Sequence, residues 1–295
     1  MKAFVSHDPE RSRRIAGYAM VVGAGLLWGC WSLVFRPVER MARVSPAFET
    51  LVVFAVTVVV LGPMAWLDGR GRERGARDWG GMLALGLIDT GNVLCFFGAM
   101  QRTSLAVAVL THYLAPVFVS IAEPLVMRRR ARGPVWSSVV LALAGLTLLL
   151  EPWKGASRGA AVGALLWTAS AAFFAGNVLL SKRLQGRFSQ REIQAWHCVP
   201  GLVIVPWFVP AGGLNPGAMP VSLLVVGALL IAVLGGWLFL RGLNRVPASH
   251  ASVLSLIEPV TAVAVGAVFW KEMPGPLGIA GAGVVLAAAW RVVRR

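Results

Sequence analysis

Ala99-Met100-Gln101-Arg102-Thr103-Ser104-Leu105-Ala106, followed by Leu114-Ala115-Pro116-Val117, decides the architecture because it occurs twice. The later copy reads Gly242-Leu243-Asn244-Arg245-Val246-Pro247-Ala248-Ser249, followed by Ile257-Glu258-Pro259-Val260. One offset of 143 residues pairs Arg102 with Arg245, Ala108 with Ala251 and Pro116 with Pro259. A second echo, Leu26-Leu27-Trp28 against Leu165-Leu166-Trp167, runs at an offset of 139. The chain therefore divides into two related halves, 1–153 and 154–295.

Composition fixes the solvent around those halves. Hydrophobic residues make up 57% of the chain and charged residues 14%, where a soluble domain carries about 25% charged residues. This much apolar surface needs a lipid bilayer. The formal net charge of +15 does not point to nucleic acid, because the basic residues fall between apolar runs and mainly on one side. Cys30, Cys95 and Cys198 are scattered, each inside an apolar run, without metal-ligand or CxxC spacing. The first apolar run, preceded by Arg11, Arg13 and Arg14, is too long for a signal-peptide core and reads as a retained span.

Runs of about 20 apolar residues reach across the hydrocarbon core. Ten are predicted: 15–35, 47–67, 79–100, 104–126, 133–150, 159–181, 192–209, 219–240, 246–270 and 275–292. The fold class is thus an all-α integral membrane protein with five spans per half. An odd number of spans makes the second half lie upside down relative to the first. Of the 28 Lys and Arg residues, 21 fall in the segments on the side of the N-terminus and 7 on the other. That bias predicts both termini in the cytoplasm. Trp66, Trp79, Trp136, Trp153, Trp207, Trp270 and Trp290 fall at span ends, where indoles favour the headgroup zone. Inverted repeats with broken helices are the architecture of many secondary transporters.

Catalytic and nucleotide-binding motifs give no enzyme reading. Gly155-Ala156-Ser157-Arg158-Gly159 matches GxSxG, but a nucleophile elbow needs a strand before it and a sheet beneath it. No HExxH, Walker A or dinucleotide fingerprint is present. The chain is read as a non-enzyme without cofactor or metal. Its partners are a small-molecule substrate and the bilayer, with protons as a candidate coupling ion and oligomeric state open.

Polar residues deep in a span are costly and therefore point to a site. Asp89 lies mid-span, with Asn92 and Phe96 following on the same helical face. Glu258 lies mid-span in the ninth helix beside Ser255. The fourth helix carries Thr111, His112 and Tyr113. Trp28, Trp167 and Trp237 lie well inside spans and offer an aromatic wall. His197, near the cytoplasmic face, reads as structural, and Glu123 as a snorkelling or salt-bridged partner of Arg128–Arg130. Pro116 and Pro259, at repeat-equivalent positions, interrupt the helix ladder and read as hinges. Gly25-xxx-Gly29 and Gly159-xxx-Gly163 predict close helix crossings. At the 143-residue offset Asp89 stands opposite Ala232 and Glu258 opposite Ala115. The frame repeats and the polar groups do not, as a symmetric scaffold around an asymmetric ligand requires.

The stretches Arg102–Val117 and Arg245–Val260, with Leu26–Trp28 and Leu165–Trp167, resemble the drug/metabolite transporter superfamily, specifically its EamA-type members. Within it the chain is most similar to the YddG-type exporters of aromatic amino acids. The resemblance implies a basket of eight helices around a central cavity, with the fifth and tenth helices peripheral. It also implies efflux of Phe, Tyr, Trp and related compounds across a bacterial inner membrane by alternating access. The residues expected to meet such a substrate are Trp28, Asp89, Asn92, His112, Tyr113, Trp167, Trp237, Ser255 and Glu258. A facilitator or channel, or a carrier of nucleotide-sugars, drugs or lipid-like solutes, stays open on the sequence alone.

Overall fold

The computed structural model describes residues 9–100, 112–128, 133–151, 153, 160–210 and 216–294. The first half holds helices Pro9–Trp28 (α1), Ser32–Met41 (α2), Pro46–Gly69 (α3), Ala76–Met100 (α4), Ala115–Met127 (α5) and Gly133–Leu150 (α6). The second holds Ala160–Leu184 (α7), Gln190–Trp196 (α8), Cys198–Ile204 (α9), Ala218–Gly227 (α10), Leu234–Leu243 (α11), Ala248–Leu254 (α12), Ile257–Trp270 (α13) and Pro276–Val293 (α14). Among the described residues six segments are long and apolar enough to cross a membrane: Pro9–Met41, Pro46–Gly69, Ala76–Phe96, Ala218–Leu243, Ala248–Trp270 and Pro276–Val293. Two shorter apolar helices cover Ala115–Met127 and Val135–Leu150. Side chains such as Val59 (72% exposed), Leu125 (77%) and Val268 (72%) form an apolar exterior, which lipid rather than water accommodates.

Local sequence sets the helix ends. Ser45 accepts a hydrogen bond from Phe48 N at 3.2 Å and Pro46 takes the first position of α3. Ser189 and Glu192 form a reciprocal capping box on α8. Pro276 starts α14. Arg128 and Lys271 adopt left-handed backbone (φ 50° and 58°) to end α5 and α13.

Among the described residues five predicted spans are not uninterrupted helices, the fourth because the chain turns at Tyr113–Leu114 before α5. The first runs from Pro9 to Met41 and breaks at Gly29–Trp31, where short i to i−3 bonds such as Cys30 N to Leu27 O (3.0 Å) carry the chain through. The seventh is assembled from α8, α9 and a 3₁₀ turn, Val205–Phe208. The eighth joins α10 to α11 through a π-helical stretch, Ala228–Val233. The ninth breaks between α12 and α13. There Leu256 N reaches Val253 O (3.1 Å) and Glu258 N reaches Ser255 O (3.0 Å). Pro259, the third residue of α13, and Pro116, in the first turn of α5, therefore do not kink helices from within. Each sits just after a break, in the first turn, where a missing N–H leaves no carbonyl stranded. The hairpin at 101–103, Thr111 and the GxSxG residues 155–159 lie outside the described residues.

The two halves interlock. In the 139- and 143-residue registers α1 and α2 correspond to α7, α4 to α10 and α11, and α5 to α13. Helix α1 packs on α11 and α13, while α7 packs on α4 and α5. Helix α3 packs on α8 and α9, and α6 on α14. Glycines set the closest crossings. A Cβ on Gly25 would stand 2.4 Å from Ile257 Cγ2, and one on Gly29 would stand 2.5 Å from Thr261 Cβ and 2.7 Å from Glu258 O. The predicted close crossing of the first span thus falls against α13. Gly145 and Gly281 do the same for α6 and α14, where a Cβ on Gly281 would meet Leu149 N at 2.4 Å.

Candidate functional site

The α4–α7 crossing brings two polar faces together. Gly91 lets the helices approach, since a Cβ there would press on the Phe173 ring at 3.2 Å. Asp89, Asn92 and Phe96 share the α4 face predicted for them. From α7, Asn177 Nδ2 donates to Asp89 Oδ1 at 2.8 Å, and Ser170 Oγ donates to Asn92 Oδ1 at 2.7 Å. Ser170 Oγ also lies 3.0 Å from His112 Nδ1. A hydroxyl has one proton. With Ser170 giving its proton to Asn92, His112 Nδ1 is the donor, and Nε2 is left as the acceptor of the neutral ring.

Aromatic rings enclose His112. Ring centroids lie at 5.6 Å for Phe96, 6.0 Å for Trp167, 5.5 Å for Tyr113 and 5.6 Å for Phe174. Phe96 meets Trp167 edge-on at 4.4 Å. Trp167 is fully buried, and its indole Nε1 has no hydrogen-bond partner among the described residues. A buried donor left unmade costs about 1–3 kcal/mol, so a partner arriving at this position is strongly favoured. The Tyr113 hydroxyl and the Glu258 carboxyl group lie close enough to interact electrostatically. Glu258 stands in the first turn of α13, held against α1 by the Gly25 and Gly29 crossing.

Other predicted residues stand elsewhere or are already engaged. Ser255 is buried and donates its hydroxyl to Ala251 O at 3.0 Å. Trp28 packs on Phe239 at 5.2 Å. This pair is the repeat counterpart of Trp167–Phe96, since Phe239 follows Phe96 by 143 positions. Trp237 takes the Arg241 guanidinium over its ring at 4.9 Å. The sequence reading missed Ser170, Phe174 and Asn177, although a lone Asn in an apolar span was a visible signal. It also missed the partner of His197. The break between α8 and α9 falls at His197 and sets Nε2 3.4 Å from Asp89 Oδ2. Among the described residues no group of three His, Cys, Asp or Glu is placed to hold a metal ion.

Both ends of the bundle are clasped. At the end that the Lys/Arg bias assigns to the cytoplasm, Arg74 makes a bidentate pair with Glu192 (2.5 and 2.9 Å). Arg191 does the same with Asp68 (2.6 and 2.8 Å). Lys182 reaches the carbonyls of Leu243 and Val246. Among the described residues Glu123 is not paired with Arg128. Its two oxygens accept from Ala248 N (2.6 Å) and Ser249 N (2.9 Å), capping α12 of the other half. Pro247, the cap residue of α12, offers no side-chain cap of its own, so the unsatisfied N–H groups and the helix dipole draw the carboxylate there. At the opposite end Arg36 pairs with Glu272 (2.6 and 2.8 Å), and Arg36 and Arg40 each lie 5.2 Å over Trp270. The Arg36 hydrogen bonds hold the Glu272 carboxyl below the usual carboxylate range.

An all-helical frame of interlocked halves with a buried polar and aromatic cluster is the architecture of a membrane carrier. The chain belongs to the EamA-like transporter family, whose model matches twice, over residues 15–151 and 161–294. It is 34% identical over 193 residues to an uncharacterized transporter, YwfM, of Bacillus subtilis. The match covers 63% of this chain and 64% of that protein, so the chain spans just under two thirds of that relative. It is 27% identical over 215 residues to the pseudopaline exporter CntI of Pseudomonas aeruginosa, covering 70% and 72%. It is 27% identical over 201 residues to the threonine/homoserine exporter RhtA of Escherichia coli, covering 66% and 64%. A crystal structure superposes with a TM-score of 0.78 over 95% of this chain and 97% of its own, at 18% identity, a likeness of fold.

Proposed function

We propose that this protein is a ten-span exporter of the bacterial inner membrane, with both termini in the cytoplasm. It carries amino acids with aromatic or bulky apolar side chains outward by alternating access between two inverted halves, 1–153 and 154–295. The observation that carries this reading is Trp167, a fully buried indole inside a box of rings, its N–H without a partner among the described residues. A zwitterion with an apolar side chain needs a donor for its carboxylate, an acceptor for its ammonium and an apolar wall. Trp167 Nε1 supplies the first, Glu258 with Tyr113 the second, and Phe96 and Phe174 the third, with the His112 ring packed among them. The breaks before Pro116 and Pro259 leave two elements free to swing. Export as the direction is supported by the relatives named for it.

A second reading has one specific support. RhtA is named for threonine and homoserine, and the Asn92–Ser170 pair offers a polar contact that a hydroxylated side chain would use. Ligand-induced stabilisation separates the two. A ligand at 100 times its Kd adds about 2.7 kcal/mol to the native state. Phenylalanine and tryptophan are expected to raise the melting temperature of the purified protein more than threonine does. Glu258→Gln should weaken that response while sparing uncharged aromatic solutes. Stabilisation by threonine alone would favour the second reading, and no response to any amino acid would end both.

A further inference from the structure

We propose that Asp89 and His197 together hold one transferable proton and form the point at which a proton gradient is coupled to transport. This deepens the exporter reading and rests on it. His197 Nδ1 lies 2.7 Å from Ile193 O. A carbonyl oxygen only accepts, so Nδ1 carries a proton. The other ring nitrogen, Nε2, faces Asp89 Oδ2 at 3.4 Å. An unprotonated imidazole nitrogen and a carboxylate oxygen both present lone pairs there. The contact is attractive only with one further proton on the pair, either as imidazolium and carboxylate or as neutral imidazole and carboxylic acid.

The surroundings fix the pair and leave it reachable. Asp89 Oδ1 accepts from Asn177 Nδ2 at 2.8 Å, which sets the carboxyl orientation. The two side chains keep 17% and 15% of their surface accessible, so the pair is not sealed within the packed core. Cys198 Sγ, 3.7 Å from Nε2, is the other titratable group acting on His197. Helix α3 presents the Phe54 ring at 6.5 Å, and α7 presents the neutral Asn177 with Ser181 behind it. Lys182 of α7 is committed to the carbonyls of Leu243 and Val246.

The pair also sits where a charge change moves the backbone. His197 is the residue at which α8 ends and α9 begins. Helix α4 lies directly against that junction, since a Cβ on Gly86 would meet His197 O at 2.6 Å. Loss of the proton sets two lone pairs face to face and drives α4 and the α8–α9 junction apart. Asp89 belongs to the same α4 face as Asn92 and Phe96, so that motion is transmitted to the aromatic box. Over one cycle a proton binds from the outer aqueous phase and leaves to the cytoplasm as one substrate moves outward. No bond other than that to the proton forms or breaks.

The test uses the full chain in proteoliposomes and labelled phenylalanine, with counterflow and gradient-driven uptake measured on the same vesicles. An inside-acid gradient is expected to drive uptake above the level reached without a gradient. In His197→Gln and Asp89→Asn the ratio of gradient-driven uptake to counterflow should fall to its no-gradient value. A pH dye in weakly buffered detergent solution should report protons released as phenylalanine binds to the wild-type protein, which keeps the test independent of variant folding. Wild-type counterflow without any gradient response, absent proton release, or variants that still respond to the gradient would each overturn the coupling site. Absence of counterflow in the wild type would overturn the exporter reading instead.

Discussion

Glu123→Gln removes the contact by which one half of the molecule caps a helix of the other. In the native protein Oε1 accepts from Ala248 N at 2.6 Å and Oε2 from Ser249 N at 2.9 Å. Glutamine keeps one acceptor and turns an amide N–H toward the second backbone N–H. Ala248 and Ser249 are buried (0% and 6% exposed), so water does not substitute for the lost partner. A hydrogen bond to a charged group contributes about 1.5–3 kcal/mol, and a buried donor left unmade costs about 1–3 kcal/mol. The charge at the helix N-terminus adds about 0.3–1 kcal/mol. These overlap, and the expected loss is roughly 2–4 kcal/mol. At about 2–4 °C per kcal/mol for a chain of this size, the melting temperature should fall by on the order of 5–10 °C. Thermal unfolding in detergent, followed by tryptophan fluorescence, reads it directly. A shift smaller than about 1 °C would mean that the inter-half cap contributes nothing, and the clasp would lose its energetic basis.

Gly29→Ala should destabilise by about 1–3 kcal/mol and slow transport, because its Cβ would press on Thr261 and on backbone at Glu258. Gly283→Ala is the control: nothing lies within 4 Å of its added Cβ, so the helix should gain up to about 1 kcal/mol. Equal melting temperatures for the two would refute close packing of α1 on α13. Pro116→Ala and Pro259→Ala should let helices extend back through the adjacent breaks and reduce exchange rate more than substrate affinity. Normal exchange in both variants would make the breaks static features.

The helical class and the repeat were legible because hydropathy and a fixed offset need no knowledge of packing. So was the α4 face, since helical spacing alone puts Asp89, Asn92 and Phe96 in line. The partners of that face were not. Ser170 and Asn177 face it only because α7 crosses α4, and His197 turns toward Asp89 because its span breaks there. Glu123 shows the same limit: the nearby Arg residues gave no sign that its carboxylate also meets backbone N–H groups over a hundred residues away. Trp237 is engaged within its own helix. Arg241 follows it by four residues and lies over its ring, an i, i+4 relation that was already visible in the sequence. Pro116 and Pro259 stand in the first turn after a break, a placement that packing rather than sequence reveals.

Counterflow separates a gated carrier from a pore. Proteoliposomes loaded with unlabelled phenylalanine and diluted into a trace of the labelled form should accumulate label transiently above equilibrium, with saturable rates. Glu258→Gln should diminish that overshoot. Label that only equilibrates would identify a channel or facilitator without a gated cycle. No entry of any amino acid would contradict the assignment of the His112, Trp167 and Glu258 site to amino-acid transport.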